Sequence, residues 1–269
     1  MHNLIKTITP VFLMGCLTLA AGSAFAAECQ SSKWGQDDEI GAANYVTPER
    51  VIMAAKLVQK GESHPLGIMI DPNMPAFPPR KMMLQIVQPN QQYGRSLEKD
   101  FGWPIVYNDD VAQLWWGTGP QIDGLGHLGE EGMYYNCNKG TDFAAITGLT
   151  KLGIEKIPPL IGRGVLIDMA KHFGVDALEG GQAFNAEDIK AAATAQGVEI
   201  RQGDIVLFHT GWTDAKLQDD PTAWVSSEPG ISNDAAVYLA SLNPMAVGAD
   251  TWGVDVVPPV EGEKVFMPT

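Results

Sequence analysis

An α/β fold is what this sequence predicts, on three observations. Apolar runs at residues 164–168, 204–208 and 245–249 are short enough for buried strands. A capped helical stretch lies between each pair of them, so strand and helix alternate, the order that builds parallel sheet. An apolar content of 45% over 269 residues supplies a substantial core.

The elements follow in chain order. Lys6, an apolar run from Val11 to Ala24 and the small-x-small triplet Ala24-Phe25-Ala26 read as a cleavable export signal over residues 1–26. A lipoprotein box at Leu13-Met14-Gly15-Cys16 competes with that reading, but Met14 fits it poorly and the apolar run continues past Cys16. The mature chain, residues 27–269, shows no repeat or linker and is expected to be one domain in the periplasm or outside the cell. A helix is expected over residues 47–60. Thr47 caps it, Pro48 opens it, Gly61 stops it, and Val51, Ala54, Ala55 and Val58 share a face. Short strands are expected at 67–70 and 82–87 around a Pro-rich loop at 72–79, and residues 93–103 carry no clean period. Asn185 and Gly197 bracket a helix, and Ser232 caps another that runs to Ser241.

Charge excludes several partners. The formal net charge is −14, and losing the leader removes Lys6 and no acid. Such a chain repels nucleic acid and anionic lipid, and no basic cluster overrides this. No later segment is long and apolar enough to span a bilayer. Cys29 and Cys137 are the two mature cysteines. An oxidising compartment permits a disulfide between them, although nothing in their spacing fixes the geometry.

The richest polar segment runs Trp116-Gly117-Thr118-Gly119-Pro120-Gln121-Ile122-Asp123-Gly124-Leu125-Gly126-His127-Leu128. Asp123 offers a hard oxygen donor and His127 an imidazole that titrates near neutrality, the two group types that hydrolysis uses. The plain alternative is a polar loop whose Asp and His satisfy backbone groups. His209 ends a predicted strand and reads as a hydrogen-bonded core histidine. Asp250 and Asp255 flank a loop after a strand end, where α/β sheets place ligands. Trp115, Trp116, Trp212 and Trp252 are candidates to wall an aromatic pocket. His64 and His172 read as inert surface groups.

Several separated pieces resemble one family. They are Trp34-Gly35-Gln36-Asp37-Asp38-Glu39-Ile40-Gly41-Ala42-Ala43-Asn44, Leu207-Phe208-His209-Thr210-Gly211-Trp212, Pro229-Gly230-Ile231-Ser232, and the stretch from Ala246 through Asp250 to Val254. Together they are similar to the cyclase family, whose best-known members are bacterial kynurenine formamidases. The resemblance implies a mixed, partly barrel-like β-sheet with flanking helices and a homo-oligomer. It also implies a divalent metal, Zn or Mn, held by the signature His-x-Gly-Thr-His-x-Asp-x-Pro-x-His, whose last His moves protons.

Laid on Asp123, that signature makes Asp123 a metal ligand and His127 the catalytic acid/base. Gln121, an amide oxygen donor, stands at a His position, and Gly117, with no side chain, stands at another. The family completes its metal set with a His and a Glu beyond the strand matching residues 246–249. This sequence reaches Thr269 about where that His falls, so the resemblance implies a C-terminally shortened chain. The expected function is hydrolysis of a small-molecule amide C–N bond of the arylformamidase type, in tryptophan breakdown through kynurenine, with Trp116, Trp212 and Trp252 contacting substrate. The rival is an exported small-molecule binding protein on the same scaffold, which Gly117 and Gln121 favour. Metal content separates the two.

Overall fold

The computed structural model describes Cys29, residues 31–87 and residues 97–263. The export signal and the last residues of the chain lie outside the described residues. In chain order the main elements are α1 (Pro48–Ala55), β1 (Met82–Val87), β2 (Asp109–Leu114), β3 (Gly164–Asp168), α2 (Met169–Phe173), β4 (Ala183–Phe184), α3 (Ala186–Gln196), β5 (Ile205–His209), α4 (Trp212–Lys216), α5 (Pro221–Ser226), β6 (Gly230–Ile231), α6 (Asn233–Leu242) and β7 (Ala246–Ala249). The fold is mixed α/β.

Strands β7, β5 and β3 form a parallel sheet in that order, and β4 pairs with β6 in a second, two-stranded parallel sheet. The helices between these strands start where the sequence places them. Asn185 accepts hydrogen bonds from the backbone N–H groups of Glu187 and Asp188, while Asp188 accepts from the Asn185 N–H, a complete capping box. Gly197 ends α3 at φ 68°, a left-handed conformation that glycine adopts without strain. Ser232 caps α6 through the Ala235 N–H.

The core forms where α3 and α6 cover one face of the sheet. Val165 and Ile167 of β3 and Val206 and Phe208 of β5 meet Ile189, Ala192, Ala235 and Leu239. Alternation decides which residues are covered. Leu166, between Val165 and Ile167, points to the other face and is 57% exposed. The strands expected to be buried are therefore fully buried only at alternate residues. Among the described residues the strands form open sheets of two or three strands, with no closed barrel.

The N-terminal half departs further from expectation. Helix α1 begins on its Thr47 cap as predicted but ends at Ala55 rather than Lys60. None of its residues is buried, and Val58 is 70% exposed. With no packing partner beyond Ala55, propensity alone does not sustain the last turn. Residues 67–70 form no strand, because the backbone between Pro65 and Pro72 finds no neighbouring strand to pair with. Strand β1 forms as expected and pairs antiparallel with β2, which the sequence did not announce. A short helix, Glu98–Phe101, occupies part of the stretch read as aperiodic.

The opening motif is structural. Asp38 accepts hydrogen bonds from the Gly41 N–H, Asn44 and Tyr135, and Asn136 donates to the carbonyls of Gly35, Gln36 and Asp38. Burial pushes the Asp38 carboxyl up, but these hydrogen bonds outweigh it and hold it below the usual carboxylate value. The Tyr135 hydroxyl is pushed up to about 12, first by burial and then by Asp38. A disulfide joins Cys29 to Cys137 at a Cα separation of 5.7 Å, closing the pairing left open by the sequence.

Candidate functional site

The motif loop is seated by its glycines. A Cβ at Gly126 would lie 2.8 Å from Leu149 Cδ1 and 3.0 Å from the Leu152 carbonyl oxygen, so only glycine lets the loop reach the 149–154 segment. There the Gly126 N–H donates to the Leu152 carbonyl at 3.1 Å. That segment is anchored in turn by Glu39, which accepts from the Leu152 N–H at 2.7 Å and pairs with Lys156. The Lys156 hydrogen bond, above all, holds the Glu39 carboxyl below its usual range. On the other side, Gly119, at φ +87°, and Gly117 lie against Ile70 and Arg80, and Arg80 donates to the Gly117 carbonyl at 3.3 Å.

This seating brings the predicted residues Gln121, Asp123 and His127 together. The Gln121 amide donates to Asp123 Oδ1 at 2.9 Å. His127 Nε2 stands 3.8 Å from Asp123 Oδ2, an ion-pair distance beyond a hydrogen bond. Both side chains are about half exposed, open to a ligand from solvent. A turn closed by the His127 N–H on the Gly124 carbonyl at 2.9 Å sets the imidazole back toward the carboxylate. Beneath the loop, Thr118 is 1% exposed and its hydroxyl oxygen has no hydrogen-bond partner.

The tryptophans do not form one wall. Trp116 is 84% exposed beside the motif, whereas Trp212 is 2% exposed. Its indole N–H donates to the Trp224 carbonyl at 3.4 Å, so it is packed as core rather than set beside Trp116. Trp252 stacks on Phe77 with centroids 5.7 Å apart, and so links the loop after β7 to the Pro-rich loop beside the motif.

A second polar group lies at the carboxyl edge of the parallel sheet. Asp168 and His209 are register partners at the ends of β3 and β5. His209 Nδ1 lies 3.1 Å from Asp168 Oδ1, and Nε2 lies 3.9 Å from Asp250 Oδ2. Asp250 is fixed by the N–H groups of Thr210 and Gly211 and by the Thr210 hydroxyl. Burial raises the Asp168 carboxyl, but hydrogen bonds from the Lys171 N–H and His209 outweigh this and leave it lowered. His209 is thus not the core histidine expected: it is 39% exposed and lines an open cleft of about 400 Å³. Asp168 was missed, although its place at a strand end was a usable signal. His64 is exposed, and His172 is held 3.6 Å from Asp188.

The loop after β7 hides one more group. Glu228 is 0% exposed, and its Oε2 accepts from the Gly253 N–H at 2.9 Å while Oε1 has no hydrogen-bond partner. Burial pushes this carboxyl up to about 8 against the pull of the Gly253 and Trp252 N–H groups, and Asp255 adds to the rise.

These donors do not complete the divalent-metal site that the resemblance implies. Asp123 gives a carboxylate and Gln121 an amide oxygen, Gly117 gives nothing, and His127 approaches only one carboxylate oxygen. No group of three or more His, Cys, Asp or Glu among the described residues is arranged to hold a metal ion. The donor set present falls short of the three or four protein ligands that Zn²⁺ takes.

Fold and site together define an α/β protein whose polar, glycine-seated loop presents a carboxylate and an imidazole to solvent. The family model for cyclases matches residues 63–256, and the chain belongs to that family. A crystal structure described as a novel cyclase aligns with a TM-score of 0.72 at 31% identity, covering 82% of this chain and 74% of that one. Isatin hydrolase A from Labrenzia aggregata, bound to benzyl benzoate, aligns at 0.51 with 19% identity over 71% of this chain and 68% of its own. Isatin hydrolase A from Ralstonia solanacearum aligns at 0.50 with 18% identity over 72% and 70%. At those identities the two hydrolases share the fold alone. No curated protein matches the sequence.

Proposed function

We propose that this chain is an exported hydrolase of a small-molecule amide C–N bond, arylformamidase-like, with N-formylkynurenine the substrate to test first. The observation that carries the reading is the contact chain from Gln121 through Asp123 to His127, set on a cyclase-family scaffold that enzymes named for isatin hydrolysis share. The Cys29–Cys137 disulfide supports an oxidising compartment, periplasmic or extracellular. In this reading His127 takes a proton from a water whose oxygen attacks the amide carbonyl. It returns that proton to the nitrogen as the C–N bond breaks. Asp123 lies close enough to offset the positive charge that His127 carries between those events. Trp116, exposed beside the loop, offers an aromatic substrate a face to stack on.

The test is turnover of N-formylkynurenine and related aryl formamides by the purified chain. His127→Ala is expected to lower kcat by about a hundredfold or more with an unchanged circular dichroism spectrum. Unchanged turnover would remove His127 from the mechanism. The shortage of metal donors among the described residues, with Gly117 and Gln121 at two ligand positions, favours a second reading, a non-catalytic binding protein on the same scaffold. Elemental analysis separates the two. One equivalent of Zn or Mn per chain supports the hydrolase, whereas no metal together with no turnover supports the binding protein.

A further inference from the structure

Two segments meet where β1 begins and β2 ends. The Trp115 N–H donates to the Lys81 carbonyl at 3.3 Å, and a turn closed by the Arg80 N–H on the Phe77 carbonyl at 3.0 Å leads Arg80 in beside residues 115–117. Its guanidinium lies against Gly117. A Cβ at Gly117 would stand 2.7 Å from Arg80 Nη1, 2.9 Å from Cζ and 3.2 Å from Nε, so Arg80 fills the room that a side chain at 117 would take. Gly117 has no left-handed φ. Glycine serves here for the close approach of Arg80 and not for a turn. Position 117 is also one at which the signature that the motif resembles places a His. A fixed guanidinium thus stands where that ligand is missing.

The charge of this guanidinium is not neutralised among the described residues. Of its five N–H donors, Nη1 supplies one to the Gly117 carbonyl at 3.3 Å. No described carboxylate forms an ion pair with it, and Asp123 engages Gln121 and His127 instead. This holds in a chain of net charge −14, where acidic partners are plentiful. Arg80 is half-buried, and a partly desolvated charge is unfavourable until an anion takes up its donors. The planar fork of a guanidinium fits a carboxylate in bidentate fashion. Next along the chain from Gly117, Thr118 is 1% exposed and its hydroxyl oxygen has no hydrogen-bond partner. On the other side of Gly117, Trp116 is exposed.

We propose that Arg80, held against the 116–118 turn, is a carboxylate-recognition residue for a small acid. The ligand's carboxylate takes the Arg80 fork, and exposed Trp116 is open to its apolar part. This inference goes beyond the hydrolase reading and applies equally to a binding protein on the same scaffold, because it concerns recognition and not turnover.

Isothermal titration calorimetry of the purified chain with benzoate and benzamide, similar in shape but not in charge, tests the proposal at low salt. The wild type is expected to bind benzoate with a dissociation constant of about 1 mM or tighter, and benzamide at least about tenfold more weakly. Arg80→Gln should weaken benzoate binding by about tenfold or more and leave benzamide unchanged. Arg80→Lys keeps the charge but loses the fork, and should fall between wild type and Arg80→Gln. Gly117→Ala sets a methyl group where the guanidinium lies, and should weaken benzoate binding with Arg80 itself intact. Circular dichroism and melting of each variant confirm that it is folded. Benzoate that fails to bind at millimolar concentration, equal affinity for benzoate and benzamide, or benzoate binding indifferent to Arg80→Gln or to Gly117→Ala would each overturn the proposal.

Discussion

Gly126 shows how a single residue positions the chemistry. Its missing Cβ lets the motif loop sit against Leu149 and the Leu152 carbonyl, and that seating holds His127 near Asp123. Gly126→Ala places a methyl group against a backbone oxygen that does not yield cheaply. The loop is expected to shift and turnover to fall by about tenfold or more, since misplacement on the ångström scale is costly to catalysis. The melting temperature should barely move, because the loop contributes little to the core. Retained turnover would show that the 124–127 turn does not need this seat. At the same scale, Gln121, Asp123 and His127 were readable as candidates because they are close in sequence. The burial of Trp212 and the exposure of His209 were not, because neighbours distant in the chain decide both.

Among the elements, the opening segment gains most from a covalent tie. It contains no long helix or strand, and its place depends on Asp38, Asn136 and the Cys29–Cys137 bond across 108 residues. A loop that long makes the bond a large constraint on the unfolded chain, of about 2–4 kcal/mol in typical cases. Replacing both cysteines with serine is expected to lower the urea midpoint by a corresponding amount and to make residues 29–45 more sensitive to protease. Equal midpoints for the two forms would show that the side-chain hydrogen bonds suffice alone. Helices α3 and α6 need no such tie, because each carries its own cap and buries an alanine-lined face.

For the whole molecule, buried carboxyls set the dependence of stability on pH. Folded, Glu228 keeps its proton up to about pH 8, whereas its ordinary value is 4.5. Between those values the folded state binds more protons than the unfolded one. The stability Glu228 contributes is therefore complete below about pH 4.5, declines as pH rises and is lost above 8. Asp38, Glu39 and Asp168 act in the opposite sense. Their lowered values give stability above the ordinary carboxylate range that disappears as pH falls. Glu228→Gln keeps an oxygen for the Gly253 N–H and never ionises. Urea unfolding should show it more stable than wild type at pH 9, by on the order of a few kcal/mol, with the advantage shrinking toward pH 5. An advantage independent of pH would mean that Glu228 does not titrate in the folded chain.

The sequence by itself determined what depends on near neighbours along the chain. Capping at Thr47, Asn185 and Ser232, the alternation of apolar strands with helices, and the grouping of Gln121, Asp123 and His127 all follow from contacts within a few residues. Tertiary structure alone decided what depends on distant ones. It paired Asp168 with His209 across 41 residues, joined Cys29 to Cys137, and left residues 67–70 without a partner strand. It also left the β1–β2 ribbon apolar and exposed. The physical reason is that caps and periodicity are short-range, whereas burial and pairing belong to surfaces assembled only when remote segments meet.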